Sequence, residues 1–220
     1  MTLTVASGVQ VSALWELPAT SAARACYVLA HGAGAGMRHA SMGAVADGLA
    51  ALGIATLRYQ FPYMERGSRR PDPPPLCHAT VRAAVAQAAA LAPALPLFAG
   101  GRSFGGRMTS QAQASEPLAG VRGLAFLAFP LHPAGNPADT RAQHLFAVHL
   151  PMLFLQGTRD ALADGALLRS LVERLGARAT WSRVQEADHS FHVPARTGRE
   201  SSEVRSEVLR RLAAWIDSLI

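Results

Sequence analysis

The sequence predicts a single-domain α/β fold over residues 1–220, with a mainly parallel sheet, helices on both faces and no sizeable lid. Short apolar runs alternate with stretches of helical periodicity, which is typical of βαβ units. A chain of 220 residues, half of them hydrophobic, suits one domain with a large core. The segment between the predicted strands at 124–129 and 151–156 is too short for a separate lid.

The amino-terminal part predicts an antiparallel hairpin followed by the first parallel strands. The hairpin strands are predicted over 3–6 and 9–17 and joined at Ser7-Gly8. Strands over 26–30 and 54–57 flank a helix over 42–52, which Gly53 ends. The segment 58–75 is rich in proline and is predicted to be an irregular loop.

The remaining elements continue the alternation of helices and buried strands. Helices are predicted over 81–91, 104–114, 167–175 and 204–219, where apolar residues recur at helical spacing. Strands are predicted over 95–99, 124–129, 151–156 and 179–184.

The net charge of +6 does not indicate a nucleic-acid partner. Every basic side chain apart from histidine is an arginine, and the arginines are scattered without a recognition-helix, RNP or Cys/His-finger pattern. No apolar run approaches the ~20 residues of a membrane span, and the start does not resemble a signal peptide. Two cysteines give no disulfide framework. We therefore expect a cytoplasmic protein with neither a nucleic-acid nor a membrane partner.

The stretch Gly101-Arg-Ser-Phe-Gly105 has the G-x-S-x-G pattern of a nucleophile elbow. An apolar strand precedes it and a helix follows it, so Ser103 is predicted in a tight turn at the carboxyl edge of the sheet. The amino end of the helix favours negative charge there. Ser103 is the candidate catalytic nucleophile.

Two further strand ends carry the residue types that activate a serine. Asp160 follows the 151–156 strand in Gly157-Thr-Arg-Asp160, and His189 follows the 179–184 strand. The order Ser, Asp, His is that of α/β-hydrolases. A histidine can take the serine proton near neutral pH, and a carboxylate can orient the imidazole.

Each of these two residues has a competitor nearby. Asp164 precedes a helical stripe and is better explained as its N-cap, and His192 is better explained as a neighbour of the site. Asp188, His189 and His192 lack further clustered ligands, so no metal and no cofactor is expected.

The stretch His31-Gly-Ala-Gly-Ala-Gly36 is predicted to be an oxyanion loop. It fits neither the G-x-G-x-x-G dinucleotide fingerprint nor a P-loop. The predicted donors are the backbone N–H groups of Phe104 and of Ala33, with Gly34 as an alternative to Ala33.

Several blocks together resemble the dienelactone-hydrolase-like predicted hydrolases of bacteria, whose eukaryotic relatives include testis-expressed protein 30 and the hydrolase-like subunit of the nonspecific-lethal complex. The blocks are His31–Gly36, Phe61–Met64 with Arg69-Arg-Pro71, Gly100–Arg107, Phe129–Pro133, Gly157–Asp160 and Asp188–Phe191. The resemblance implies an α/β-hydrolase fold without a lid and the triad Ser103, Asp160 and His189. It does not name a substrate, and dienelactone hydrolase itself uses a cysteine nucleophile where this chain has Ser103.

These observations predict a serine hydrolase acting on small-molecule carboxylic esters or thioesters. Arg69 and Arg70, with Arg66 nearby, are predicted to attract an anionic substrate, and His132 is predicted to line the pocket. The alternatives are a protein-interaction module on a hydrolase scaffold and a peptidase or amidase. Acyl chain length, alcohol preference and oligomeric state do not follow from the sequence.

Overall fold

The computed structural model describes residues 1–5, 8–19 and 22–220 and has the expected α/β fold built on one eight-stranded sheet. The strands are Thr2–Thr4 (β1), Gln10–Glu16 (β2), Ala25–Ala30 (β3), Ile54–Tyr59 (β4), Leu97–Arg102 (β5), Val121–Leu127 (β6), Met152–Gly157 (β7) and Ala179–Val184 (β8). Their order in the sheet is β1-β2-β4-β3-β5-β6-β7-β8. The six strands from β3 to β8 are parallel, and β2 is antiparallel to both β1 and β4.

The amino-terminal hairpin is confirmed by the antiparallel register of its strands. Leu3 pairs with Val11, and Thr4 pairs with Gln10. Ala6, which belongs to the first predicted strand, and Ser7, which belongs to the predicted connection, lie outside the described residues.

In the described part of the chain, six α-helices cover the sheet. They are Ala40–Ala51 (α1), Pro62–Glu65 (α2), Pro74–Leu91 (α3), Phe104–Ser115 (α4), Gly165–Leu175 (α5) and Ser201–Asp217 (α6). A 3-10 helix over Thr140–Ala147, which the sequence analysis did not predict, packs against α4 through buried residues that include Ala142 and Leu145.

The interpretation of 58–75 as irregular throughout is wrong. Strand β4 continues to Tyr59, α2 follows at Pro62, and α3 already begins at Pro74 instead of near residue 81. Both helices have proline in the first turn. Proline lacks only an N–H group that the first turn leaves unpaired, so it starts these helices instead of preventing them.

Two hydrophobic cores lie on opposite faces of the sheet, as the alternation of side chains along a strand requires. Along β3, Cys26 and Val28 belong to the core under α3, α4 and α5, whereas Tyr27 and Leu29 belong to the core under α1 and α6. Both cysteines are free and buried, and burial raises the pKa of each thiol to about 12.

None of the helices in the described ranges combines the length and the apolar character needed to cross a membrane.

Candidate active site

Ser103 occupies a strained turn between β5 and α4. Its backbone dihedrals are φ 50° and ψ −117°, a conformation that residues other than glycine rarely adopt. Its N–H donates to the carbonyl of Leu127 on the neighbouring strand at 3.0 Å. A Cβ on Gly105 would lie 2.7 Å from the carbonyl carbon of Ala30, so only glycine lets α4 approach β3 this closely.

The structure brings Ser103, His189 and Asp160 into one hydrogen-bonded chain. The Ser103 hydroxyl is 2.8 Å from Nε2 of His189. The other ring nitrogen, Nδ1, lies 2.8 Å from Oδ2 of Asp160. With Nδ1 protonated, His189 donates to the carboxylate and leaves Nε2 free to accept the serine proton.

Asp160 is fixed by two further donors. Its side chain is 0% exposed, and Oδ1 accepts the N–H of Leu162 at 2.8 Å. The side-chain amide of Gln156 donates to Oδ2 at 2.5 Å. Gln156 was not predicted from the sequence, although a polar residue near the end of an otherwise apolar strand, just before Gly157, was a usable signal.

The competing residues have structural roles. Asp164 is the N-cap of α5 and accepts the N–H groups of Ala166 and Leu167. Asp188 accepts the N–H groups of Ser190 and His192, which shapes the turn that carries His189. His192 itself is exposed.

His31 anchors the predicted oxyanion loop. Its Nε2 accepts the N–H of Phe61 at 3.0 Å, and its Nδ1 donates to the carbonyl of Gly32 at 2.7 Å. Burial lowers the pKa of His31 to about 4, so the ring is neutral at pH 7 and can make both bonds. The hydroxyl of Tyr63 donates to the carbonyl of Ala33 at 3.0 Å, which holds the loop from its other side.

The residues that carry the predicted oxyanion donors, Ala33 and Phe104, line a cavity with Ser103. Within the described part of the chain, the N–H groups of Ala33 and Phe104 have no hydrogen-bond acceptor. Two unpaired N–H groups beside a serine hydroxyl can bind a developing oxyanion.

Two cavities meet at Ser103 and Ala33. The first, of about 380 Å³, is lined by His189, Ser190 and the loop 32–35, and we call it the histidine-side cavity. The second, of about 410 Å³, lies against α4 and is lined by Phe104, Arg107 and Arg141 among others; we call it the arginine cavity.

The structure does not bring the other predicted pocket residues to Ser103. Arg69 and Arg70 are exposed and line neither cavity, although Pro71, Asp72 and Pro74 of the same segment line the arginine cavity. Pro74 begins α3, and Pro71 and Asp72 lead into it along the cavity wall. Arg69 and Arg70 lie outside both cavities.

Arg66 and His132 line neither cavity, and both are held by other residues. Arg66 pairs with Asp72 at 2.5 Å. His132 is buried: its Nδ1 donates to the carbonyl of Pro133, and its Nε2 accepts the N–H of Asp164. It therefore joins the end of β6 to the loop that carries Asp160 and lines neither cavity.

A protein-family model described as "Alpha/beta hydrolase domain" matches residues 23–217 of this chain. The match includes Ser103, Asp160 and His189 and all the parallel strands.

Solved structures with similar folds include several hydrolases. One is a serine hydrolase without a lid from Xanthomonas campestris, with 22% identity, a TM-score of 0.76, and coverage of 98% of this chain and 93% of that chain. Another is dienelactone hydrolase from Anabaena variabilis, with 19% identity, a TM-score of 0.77, and coverage of 100% and 96%. An esterase domain from Rhodothermus marinus has 17% identity, a TM-score of 0.71, and coverage of 98% and 95%. At these identities the likeness establishes the fold.

Proposed function

This chain belongs to the alpha/beta hydrolase domain family, and we propose that it is a serine hydrolase that cleaves carboxylic esters or thioesters through an acyl-enzyme. The observation that carries the proposal is the continuous hydrogen-bonded chain from the Ser103 hydroxyl through His189 to buried Asp160. Within the family, we place the chain among the dienelactone-hydrolase-like hydrolases related to testis-expressed protein 30 and the hydrolase-like subunit of the nonspecific-lethal complex.

In the proposed acylation step, Oγ of Ser103 attacks the carbonyl carbon while its proton moves to Nε2 of His189. The carbonyl oxygen becomes an oxyanion and accepts hydrogen bonds from the N–H groups of Ala33 and Phe104. The imidazolium that forms is stabilised by Asp160, 2.8 Å from Nδ1. When the intermediate collapses, Nε2 returns the proton to the leaving alcohol or thiol.

Deacylation repeats these roles with water. His189 takes a proton from a water molecule, whose oxygen attacks the acyl carbon of the Ser103 ester. The second oxyanion binds the same two N–H groups, and the proton then returns to Oγ as the carboxylic acid leaves. The reaction needs no group beyond these side chains, the two backbone donors and water.

A fluorophosphonate probe, which reacts with activated serines, tests the proposal directly. We expect the wild-type protein to be labelled and to hydrolyse at least one member of a panel of chromogenic esters varied in acyl length and charge. Ser103→Ala should lose both properties. Ser115→Ala, which removes a hydroxyl that donates to the carbonyl of Ala112 far along α4, should keep both.

Three results would contradict the proposal. Labelling that survives in Ser103→Ala would place the reactive serine elsewhere. A folded wild-type protein that is neither labelled nor active would instead favour an interaction module on a hydrolase scaffold. Faster cleavage of an amide than of the matched ester would favour a peptidase or amidase.

A further inference from the structure

The arginine cavity differs from the histidine-side cavity in what it offers to a substrate. Both open onto Ser103, but only the histidine-side cavity is lined by His189. His189 must give its proton to the leaving group, so the leaving group lies on its side of the scissile bond. The arginine cavity is therefore left for the acyl part of the substrate.

Two guanidinium groups line this acyl side. Arg107 lies one turn into α4, where its N–H donates to the carbonyl of Ser103 at 3.2 Å, and its guanidinium carbon is 5.8 Å from the centre of the Phe104 ring. Arg141 comes from the 3-10 helix over Thr140–Ala147. Both side chains are half-buried. Neither has a carboxylate within ion-pair distance in the described part of the chain, and Nε of Arg107 is buried without a hydrogen-bond partner there.

The other titratable groups around this cavity do not neutralise the two arginines. Among the described residues, Asp72 is the one carboxylate that lines it; its Oδ1 pairs with Arg66 at 2.5 Å, and its Oδ2 is buried without a hydrogen-bond partner. Burial raises the pKa of the Cys77 thiol to about 12 and lowers that of His144 to about 4, so both groups are neutral at pH 7. Burial, followed by the charge of Arg141, also lowers the pKa of Arg107, as expected for two cations with no anion between them.

We propose that Arg107 and Arg141 bind a carboxylate at the far end of the substrate's acyl chain, so that the preferred substrates are half-esters of short dicarboxylic acids. A planar guanidinium matches a carboxylate with two parallel hydrogen bonds. A cavity of about 410 Å³ has room for a short acyl chain between Ser103 and the arginines. The choice of ester over other acyl compounds rests on the proposed function, whereas the anion site does not.

The kinetic test compares substrates that differ in where the charge lies. Monoethyl glutarate has a carboxylate at the end of its acyl chain, ethyl pentanoate has a methyl group there, and 3-acetoxypropanoate has its carboxylate on the leaving group. We expect wild-type kcat/KM to be highest for monoethyl glutarate. Arg107→Gln and Arg141→Gln should each lower that value on the order of tenfold to a hundredfold. Both should change the values for ethyl pentanoate and 3-acetoxypropanoate less than about threefold.

Arg122→Gln is the matched control, because Arg122 is exposed and lies at the opposite edge of the sheet, at the start of β6. Arg122→Gln removes one positive charge, as the two test variants do, and should leave kcat/KM unchanged for all three substrates. Circular dichroism checks folding, and Arg141→Gln, on a short 3-10 helix, provides a test if Arg107→Gln does not fold. The proposal would be overturned if Arg107→Gln and Arg141→Gln lowered kcat/KM equally for monoethyl glutarate and ethyl pentanoate. A larger fall in kcat/KM for 3-acetoxypropanoate would also overturn it.

A binding measurement separates this proposal from the proposed function. Glutarate should bind to Ser103→Ala, measured by titration calorimetry, and binding should weaken at least tenfold when Arg107→Gln or Arg141→Gln is added. Such binding without any ester hydrolysis by the wild-type protein would refute the hydrolase and support the anion site. Hydrolysis of neutral esters without glutarate binding would support the hydrolase and refute the anion site.

Discussion

Gln156 is a side chain outside the proposed triad that holds the carboxylate of Asp160. Its amide nitrogen donates to the same Asp160 oxygen that His189 contacts, while the Leu162 N–H holds the other oxygen. The carboxylate is thus fixed by three donors in a buried site, where an unpaired polar group would be costly. The side chain of Gln156 is thereby a positioning group for His189, two contacts away.

Replacing Gln156 with leucine should therefore lower kcat more than it changes KM. Freed from one donor, Asp160 can rotate and misalign the imidazole, which we expect to cost roughly tenfold to a hundredfold in kcat. The measurement is ester hydrolysis over a range of pH, together with the rate of fluorophosphonate labelling.

The control for this variant is Gln113→Leu. Gln113 is also a buried glutamine and accepts the N–H of Leu118, at the far end of α4. Gln113→Leu should lower the free energy of unfolding but leave kcat and the labelling rate unchanged. Similar kcat losses in both variants would mean that Gln156 acts through general stability alone.

At the scale of the elements, the position of α4 depends on a close backbone approach. The positive-φ turn at Ser103 directs the chain into a helix whose second residue, Gly105, lies against Ala30. This approach determines the positions of Ser103 and of the Phe104 N–H relative to the loop that follows β3. A side chain at Gly105 must push these elements apart.

Gly105→Ala should therefore lower both stability and activity. We expect a loss of about 1–3 kcal/mol in the free energy of unfolding from overpacking, and a larger proportional loss in kcat. Urea unfolding and ester hydrolysis measure the two effects.

Gly165→Ala is the control, and we expect it to raise stability instead of lowering it. A Cβ at Gly165 meets nothing within 4 Å at the start of α5. It should stabilise the protein by about 0.4–1 kcal/mol, through a less flexible unfolded chain, and leave kcat unchanged. An active, stable Gly105→Ala would show that the close approach is dispensable.

The strands and most helices could be predicted because their signals are local. Apolar runs predicted the strands, and Gly53 marked the end of α1. The start of α3 could not be found in the same way, because the prolines at 74 and 75 indicate either a loop or a first helical turn. Only the packing of α3 against the sheet decides between the two.

The residues of the candidate site were also only partly predictable from the sequence. The candidate triad residues lie at strand ends in recognisable patterns, and the fold brings them together. The predicted cationic residues Arg69 and Arg70 stay outside the cavities, whereas Arg107 and Arg141 line one. Spacing of four residues from Ser103 was a signal for Arg107, but Arg141 lies on a 3-10 helix that was not predicted from the sequence.

At the scale of the whole molecule, two histidines whose pKa is lowered by burial make stability depend on pH. Burial lowers the pKa of His31 and of His144 to about 4, from an ordinary value of 6.5. The unfolded chain therefore binds more protons than the folded chain between these values. Their contribution to stability is fully present above about pH 6.5 and is lost as the pH falls toward about 4.

We expect the free energy of unfolding to fall by about 2–3 kcal/mol from His31 alone over this interval. Urea unfolding followed by tryptophan fluorescence at a series of pH values measures it. His31→Gln should flatten this dependence, whereas His192→Gln, at an exposed position, should not. A wild-type stability that stays constant from pH 7 to 5 would contradict the prediction.

The burial of both thiols has a practical consequence for studying this protein. Cys26 lies inside the sheet and Cys77 on the inner side of α3, and the thiolate that maleimides require is scarce at both. A cysteine introduced at an exposed position such as Arg122 should thus react alone under native conditions. Fluorescent or spin labels could then be attached at chosen points, and distances across the molecule measured during turnover, without first removing either natural cysteine.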